Sequence, residues 1–293
     1  MTGAILLSLL TRSAVAADAC PVLPLDDIAA PATHIILFNG MWTSFADARA
    51  DMDALRTNYG NVGPDGENLR YAMLYHQSSA PDTNVALVDA FGALLAHEEG
   101  GVLEGRFELL FSALHCGGPW WDAIVDAVPS FRAFLEREVA REVHSETVMD
   151  MQYILDHPPT FADFVCARDQ LLDWSDSDLV FVGHSEGDLF AQALRESLAS
   201  RDREGAIASL HIAPATVPPD EPYLLADIDY LINGIVGASV DVDVPAVNIE
   251  AVESTHQLGE CLGHDLGDVY LTDFELNRAV HDTLEETLSS MPP

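Results

Sequence analysis

Asp178-Leu179-Val180-Phe181-Val182-Gly183-His184-Ser185-Glu186-Gly187-Asp188-Leu189-Phe190-Ala191-Gln192-Ala193-Leu194 is the stretch that decides how this chain folds. Leu179 to Val182 are continuously apolar, as expected of a strand covered on both faces. Leu189 to Leu194 repeat with helical spacing. Between them lies Gly183-His184-Ser185-Glu186-Gly187, a G-x-S-x-G pentapeptide. In that position the motif reads as a nucleophile elbow, a turn so sharp that its serine takes a strained backbone conformation. Glycines two positions either side let strand and helix approach without clashing. The hydroxyl of Ser185 is then held clear of the sheet, with the N–H of Glu186 aimed at the same point.

Working outward, strands and helices alternate. Thr33-His34-Ile35-Ile36-Leu37-Phe38 is a second strand, apolar from Ile35 onward and closed by Asn39-Gly40. A helix follows at 46–59, with Ala48, Met52 and Leu55 at helical spacing, and then a strand at 69–75. From about 84 to 158 there is no convincing strand, and the pattern is of amphipathic helices. A helix at 161–172 follows the Pro158-Pro159 break. Further strands are expected at 207–213, 223–226 and 244–251, with a closing helix at 274–289. The fold class is therefore α/β, a mostly parallel central sheet with helices on both faces. The length of 293 residues and 48% hydrophobic content leave ample material for a core.

These features together resemble the α/β-hydrolases, with a helical lid or cap inserted before the nucleophile strand at about 84–158. More narrowly, the chain resembles poorly characterised bacterial members of that superfamily. The likeness rests on Asn39-Gly40, on the GHSxGxLF run from Gly183 to Phe190, on Ile212-Ala213-Pro214, and on the LADxDxxIN run from Leu225 to Asn233. It extends over roughly residues 33–290 and is loose in the insertion.

A serine hydroxyl attacks a carbonyl only when a base takes its proton and a carboxylate orients that base. The resemblance implies the chain order serine, acid, histidine. Downstream of Ser185 stand His211, His256, His264 and His281. His211 falls inside an expected strand and His281 within the closing helix. His264 is preferred as base because the loop after the last strand is where this fold delivers it. His256 shares that loop and stays open. For the acid, Asp229 followed by Tyr230-Leu231-Ile232 resembles the turn that usually carries it, with Asp227 as the alternative. Oxyanion donors are expected at the backbone N–H of Glu186 and of Met41, where Asn39 replaces the histidine usual in the family.

The resemblance thus implies a serine hydrolase of carboxylic esters, with no metal and no organic cofactor, acting on a small-molecule or lipid-like ester. Thioesterase, peptidase and acyltransferase are its rivals among enzymes. A non-catalytic ligand-binding or surface interaction module is the rival outside them. Aromatic and apolar residues of the insertion, such as Phe107, Phe111, Trp120 and Trp121, would line a pocket or pack between helices.

Composition narrows the setting. The formal net charge is -35, every one of the 13 basic residues is arginine, and mean hydropathy is +0.12. Without a basic stripe, nucleic acid is excluded as a partner. Residues 3–10 are apolar and Ala14-Val15-Ala16 follows them, which reads as a signal peptide over 1–17 and a secreted or extracytoplasmic protein of residues 18–293. That run is too short to span a bilayer, and no integral membrane segment is expected. Cys20, Cys116, Cys166 and Cys261 are too widely spaced for a zinc motif; they would form two disulfides, Cys116 with Cys166 being preferred, or stay as buried thiols. Nothing in the sequence sets the oligomeric state.

Folded chains this acidic repel themselves, and salt relieves the repulsion by shortening the screening length. The expectation is a halophilic protein. Its unfolding midpoint, followed by circular dichroism, should rise between low and molar NaCl; a midpoint that does not rise contradicts a salt-adapted surface.

Overall fold

A computed structural model of the chain describes residues 22–24, 32–40, 43–75, 162–199, 201, 205–214, 221–229, 232–233, 245–258 and 263–292. The leader at 1–17, the insertion at 84–158 and Met41 lie outside them. So do Cys20, Cys116 and Cys261.

Among the described residues, six strands form one sheet: β1 Val22–Pro24, β2 Thr33–Phe38, β3 Leu69–Leu74, β4 Asp178–His184, β5 Ile207–Ile212 and β6 Tyr223–Leu224. Their order is β1-β3-β2-β4-β5-β6. All neighbouring pairs are parallel except β1 with β3. The antiparallel edge was not expected from sequence, because three residues ending in Pro24 carry no periodic signal. Parallel neighbours require crossovers, and helices supply them. Those described are α1 Phe45–Tyr59 between β2 and β3, α2 Ala162–Leu172 ahead of β4 and α3 Gly187–Ala199 between β4 and β5; the short α4 Thr255–Leu258 and α5 Phe274–Ser289 follow the last strand, with a π-helical turn at Leu266–Tyr270 before α5.

Alternation along the strands makes two cores. Ile35 and Leu37 of β2, with Val180 and Val182 of β4, face Met52 and Leu55 of α1 and Leu276, Val280 and Leu284 of α5. Ile36, Phe38, Leu179 and Phe181 face the other way, onto Phe164 and Leu171 of α2 and Leu194 and Leu198 of α3. Helices therefore cover both faces of the sheet. Ala48, Asp51, Met52 and Leu55 are the buried positions of α1, the stripe that one helix face presents to a core.

The helices start where capping chemistry allows. Ser44 caps α1 by accepting from Asp47 N–H at 3.2 Å. Asp273 does more at α5: one carboxylate oxygen accepts from the N–H groups of Glu275 and Leu276, both at 3.0 Å. The other accepts from those of Val252 and Glu253, at 2.8 and 2.7 Å. This buried residue ties the segment after the sheet to the first turn of α5.

Instead of a strand at 244–251 there is one parallel bridge, Ala226 to Ile249. Pro245 has no N–H for a ladder, and main-chain pairing is confined to Asn248 and Ile249, whose N–H groups donate to the Leu225 carbonyl, and to Asp227, whose N–H donates to the Ile249 carbonyl; the Asn248 side chain adds to it. Its amide oxygen accepts from Leu225 N–H at 2.8 Å, and its amide nitrogen donates to the Tyr223 carbonyl at 2.7 Å.

The β4–α3 turn is tightly built. A Cβ on Gly187 would fall 2.5 Å from the carbonyl oxygen of Phe38, and one on Gly183 would fall 2.6 Å from the Cα of Asp188. Main chain cannot step aside as a flexible side chain would. Gly187→Ala should lower stability by about 1–3 kcal/mol in urea unfolding, the range for overpacking; unchanged stability contradicts this contact.

Candidate functional site

The loops that matter leave the carboxyl ends of neighbouring strands. β2 connects onward to β3 on one side, and β4 connects onward to β5 on the other. Such a reversal opens a crevice at the strand ends, where ligands of open α/β sheets bind. Asn39-Gly40 and Ser185 stand on either side of it.

Ser185 has φ 55°, a left-handed backbone that a non-glycine residue adopts only under constraint. Its N–H donates to the Ile212 carbonyl at 3.0 Å, anchoring the turn to β5. The side chain is fully buried, and its Oγ makes no hydrogen bond. Buried hydroxyls are normally satisfied. Glu186 follows in the first turn leading into α3, where the N–H groups of a helix start point outward and favour negative charge.

Asp229 and His264 come together. His264 Nδ1 lies 2.9 Å and 3.2 Å from the two carboxylate oxygens of Asp229, both residues buried. Asp229 also accepts from Ile232 N–H and from the Tyr270 hydroxyl, each at 2.9 Å. Three donors thus compensate a carboxylate taken out of water. The Tyr270 hydroxyl accepts in turn from Ala226 N–H at 3.2 Å. Burial, and then the charge of Asp229, push the Tyr270 pKa well above the usual phenol value, so it remains a donor. Gly263, at φ 64°, lets the two loops touch: a Cβ there would lie 2.6 Å from the Ile228 carbonyl carbon.

His184 connects this pair to the elbow. Its Nε2 lies 2.9 Å from the main-chain carbonyl of His264, and the two rings are 4.9 Å apart. Burial first, and His264 second, lower the His184 pKa to about 3, so the ring is neutral.

Asp227 accepts from Ala251 N–H at 2.9 Å, a loop-bracing contact. His256 lies in α4, with its side chain outside the description. Met41 is likewise outside. His211 is buried in β5 between Asp188 and Glu221, and Glu221 also pairs with Arg195. His281 is half-buried on α5. With Asp282 and Glu285 it forms, among the described residues, a group with ligand atoms within 4.8 Å of one another, on the solvent side of that helix. A cavity of about 370 Å³ lined by Arg195, Ser209, Glu221 and Met291 lies at the amino end of β5, the wrong end of the sheet for Ser185. Cys166 on α2 is disulfide-bonded to a residue outside the description. No described helix is long and apolar enough to cross a membrane.

Sequence reading missed His184 and Tyr270, which have no motif of their own, and Asp51. Asp51 faces the π-helical turn that follows His264. A Cβ on Gly267 would fall 2.5 Å from its Oδ1. Burial, then Asp265, Asp47 and Asp268, raise the Asp51 pKa to about 7 against the opposing Gly267 N–H. No protein-family model, curated protein or solved structure matches the chain.

The folded chain holds a proton on Asp51 that the unfolded chain releases near pH 4. This residue's favourable contribution is therefore complete below that pH and lost as pH rises through about 7. Asp51→Asn should stabilise the fold by about 1–3 kcal/mol at pH 8, one pKa unit being about 1.4 kcal/mol, and change little at pH 4. Urea unfolding at both values checks this; equal effects at the two pH values contradict it.

Proposed function

We propose that the chain is a serine hydrolase of the α/β-hydrolase type that cleaves a carboxylic ester through an acyl-enzyme. The observation that carries the reading is the buried Asp229–His264 pair, joined through His184 to a serine with a left-handed backbone and an unbonded hydroxyl. Histidine Nδ1 directed at a carboxylate is the arrangement that prepares Nε2 to exchange a proton with a nucleophile.

Ser185 Oγ attacks the ester carbonyl carbon while its proton passes to His264 Nε2. Asp229 stabilises the imidazolium that forms and holds the ring in place. The carbonyl oxygen, now negative, takes hydrogen bonds from Glu186 N–H and Met41 N–H, each worth about 10²–10³ in rate. His264 then protonates the departing alkoxide. Water, deprotonated by the same imidazole, adds to the acyl carbon; the bond to Ser185 Oγ breaks, the acid leaves, and His264 returns the proton to Oγ. In this reading the insertion at 84–158, whose sequence has helical periodicity, serves as the lid, and its apolar content favours a lipid-like ester. Export belongs to the same reading, supported by the apolar leader and by the disulfide at Cys166, since such bonds persist in oxidising compartments.

A fluorophosphonate probe reads the nucleophile directly. The full-length chain should be labelled, and Ser185→Ala should not. On p-nitrophenyl esters of increasing chain length at molar NaCl, that variant should lose at least about 10⁴ in kcat. Absence of labelling at both low and high salt overturns the reading in favour of a binding module.

A further inference from the structure

We infer that His184 is a positioning residue, a side chain beside the nucleophile that fixes where the base His264 stands; the inference rests on the reading of His264 as that base. A carbonyl oxygen only accepts, so the 2.9 Å contact means that His184 Nε2 carries the proton and donates to the His264 main chain. The bond spans 80 positions of sequence. At its other end, His184 is covalently joined to Ser185, whose N–H is itself fixed to Ile212. The nucleophile and the base are thereby measured against each other through one peptide unit and one imidazole ring.

The ring has little freedom to do otherwise. His184 is 4% exposed, and a Cβ on Gly40 would fall 2.5 Å from its Nδ1 and 3.0 Å from its Cε1. The turn after β2 must therefore lack a side chain for the imidazole to lie where it does. On its faces, His184 tilts at 32° to the His264 ring and meets Tyr270 edge-on at 6.3 Å between centroids. It thus touches the main chain of the base and the tyrosine that holds the acid. Its neutrality matters as well. During turnover His264 becomes an imidazolium, and a charged neighbour 4.9 Å away would oppose that charge. A neutral imidazole holds the loop without doing so.

The test compares His184→Phe, which keeps a ring and removes the donor, with His184→Gln, whose amide N–H can reach the same carbonyl. Both are made in the full-length chain, with circular dichroism melts to establish that each folds. His184→Phe should lower kcat on a p-nitrophenyl ester by about 10²-fold, the effect of a small misplacement of a reacting group. KM should stay within about twofold, because ground-state binding is untouched. His184→Gln should recover most of the loss. Full activity in His184→Phe, equal losses in the two folded variants, or a KM that rises in step with the loss of kcat overturns the inference.

A second readout needs no substrate. In imidazole ¹H–¹⁵N spectra, the Nδ1–H signal of His264, bonded to Asp229, should move in His184→Phe and stay near its wild-type position in His184→Gln. A wild-type chain that the fluorophosphonate does not label refutes the hydrolase reading alone. The spectra then decide the positioning role, and an unmoved His264 signal in His184→Phe overturns it. If His184→Phe does not fold, His184→Leu, which also lacks the donor, takes its place: a shifted His264 signal together with reduced kcat supports the inference, and unchanged values for both overturn it.

Discussion

Ser185 is held in a left-handed backbone at the end of the central strand β4, and that constraint organises the surrounding structure. A serine in this conformation is strained by about 1–3 kcal/mol, a cost that persists only where the surroundings over-determine it. Here they do. The strand before it is hydrogen-bonded on both sides, to β2 and to β5. The helix after it starts so close to β2 that Gly187 rests on main-chain oxygens. Any relaxation of the turn would have to move β4, α3 and the end of β2 together.

From this fixed point the rest of the site is assembled through main-chain contacts. Asp229 sits in the loop after β6, and Ile232 N–H returns onto its carboxylate. His264 stands just before the π-helical turn, its carbonyl gripped by His184. Asp273 anchors the connecting segment at 252–253 to the start of α5, so the chain entering the His264 loop and the chain leaving it are tied at one carboxylate. Loops built this way owe their shape to few side chains, and most of those are acids accepting from N–H groups. An acid used in this manner is not part of the repulsive surface implied by a net charge of -35.

Much of the architecture was legible because it depends on local periodicity. The strand at Thr33–Phe38 and the helix at Phe274–Ser289 announce themselves as a continuous apolar run and a helical stripe. The pairing of Asp229 with His264 was approached from motif and chain order. What periodicity could not show was contact between distant segments. His184 reads as a spacer inside a motif, since nothing local signals a partner 80 residues away. Tyr270 reads as an ordinary aromatic before a helix. Asp51 reads as a solvated helix position, because a polar residue on an apolar stripe is indistinguishable from one at its margin until packing is known. The strand at 244–251 failed for the opposite reason: its composition is right, yet Pro245 lacks an N–H and the main-chain pairing with 225–227 closes as a single bridge.

Tyr270 belongs to two systems at once. Its ring is part of the hydrophobic layer beneath α1 and α5, and its oxygen is bonded to the carboxylate that faces His264. The scaffold and the Asp229–His264 pair are therefore mechanically joined at one phenol. Repacking of that layer by substitution, even at a position far from the crevice, is transmitted along the Cα–ring–oxygen axis of Tyr270 to the acid. Engineers seeking a sturdier variant will find the opposite layer, under α2 and α3, the safer place to work.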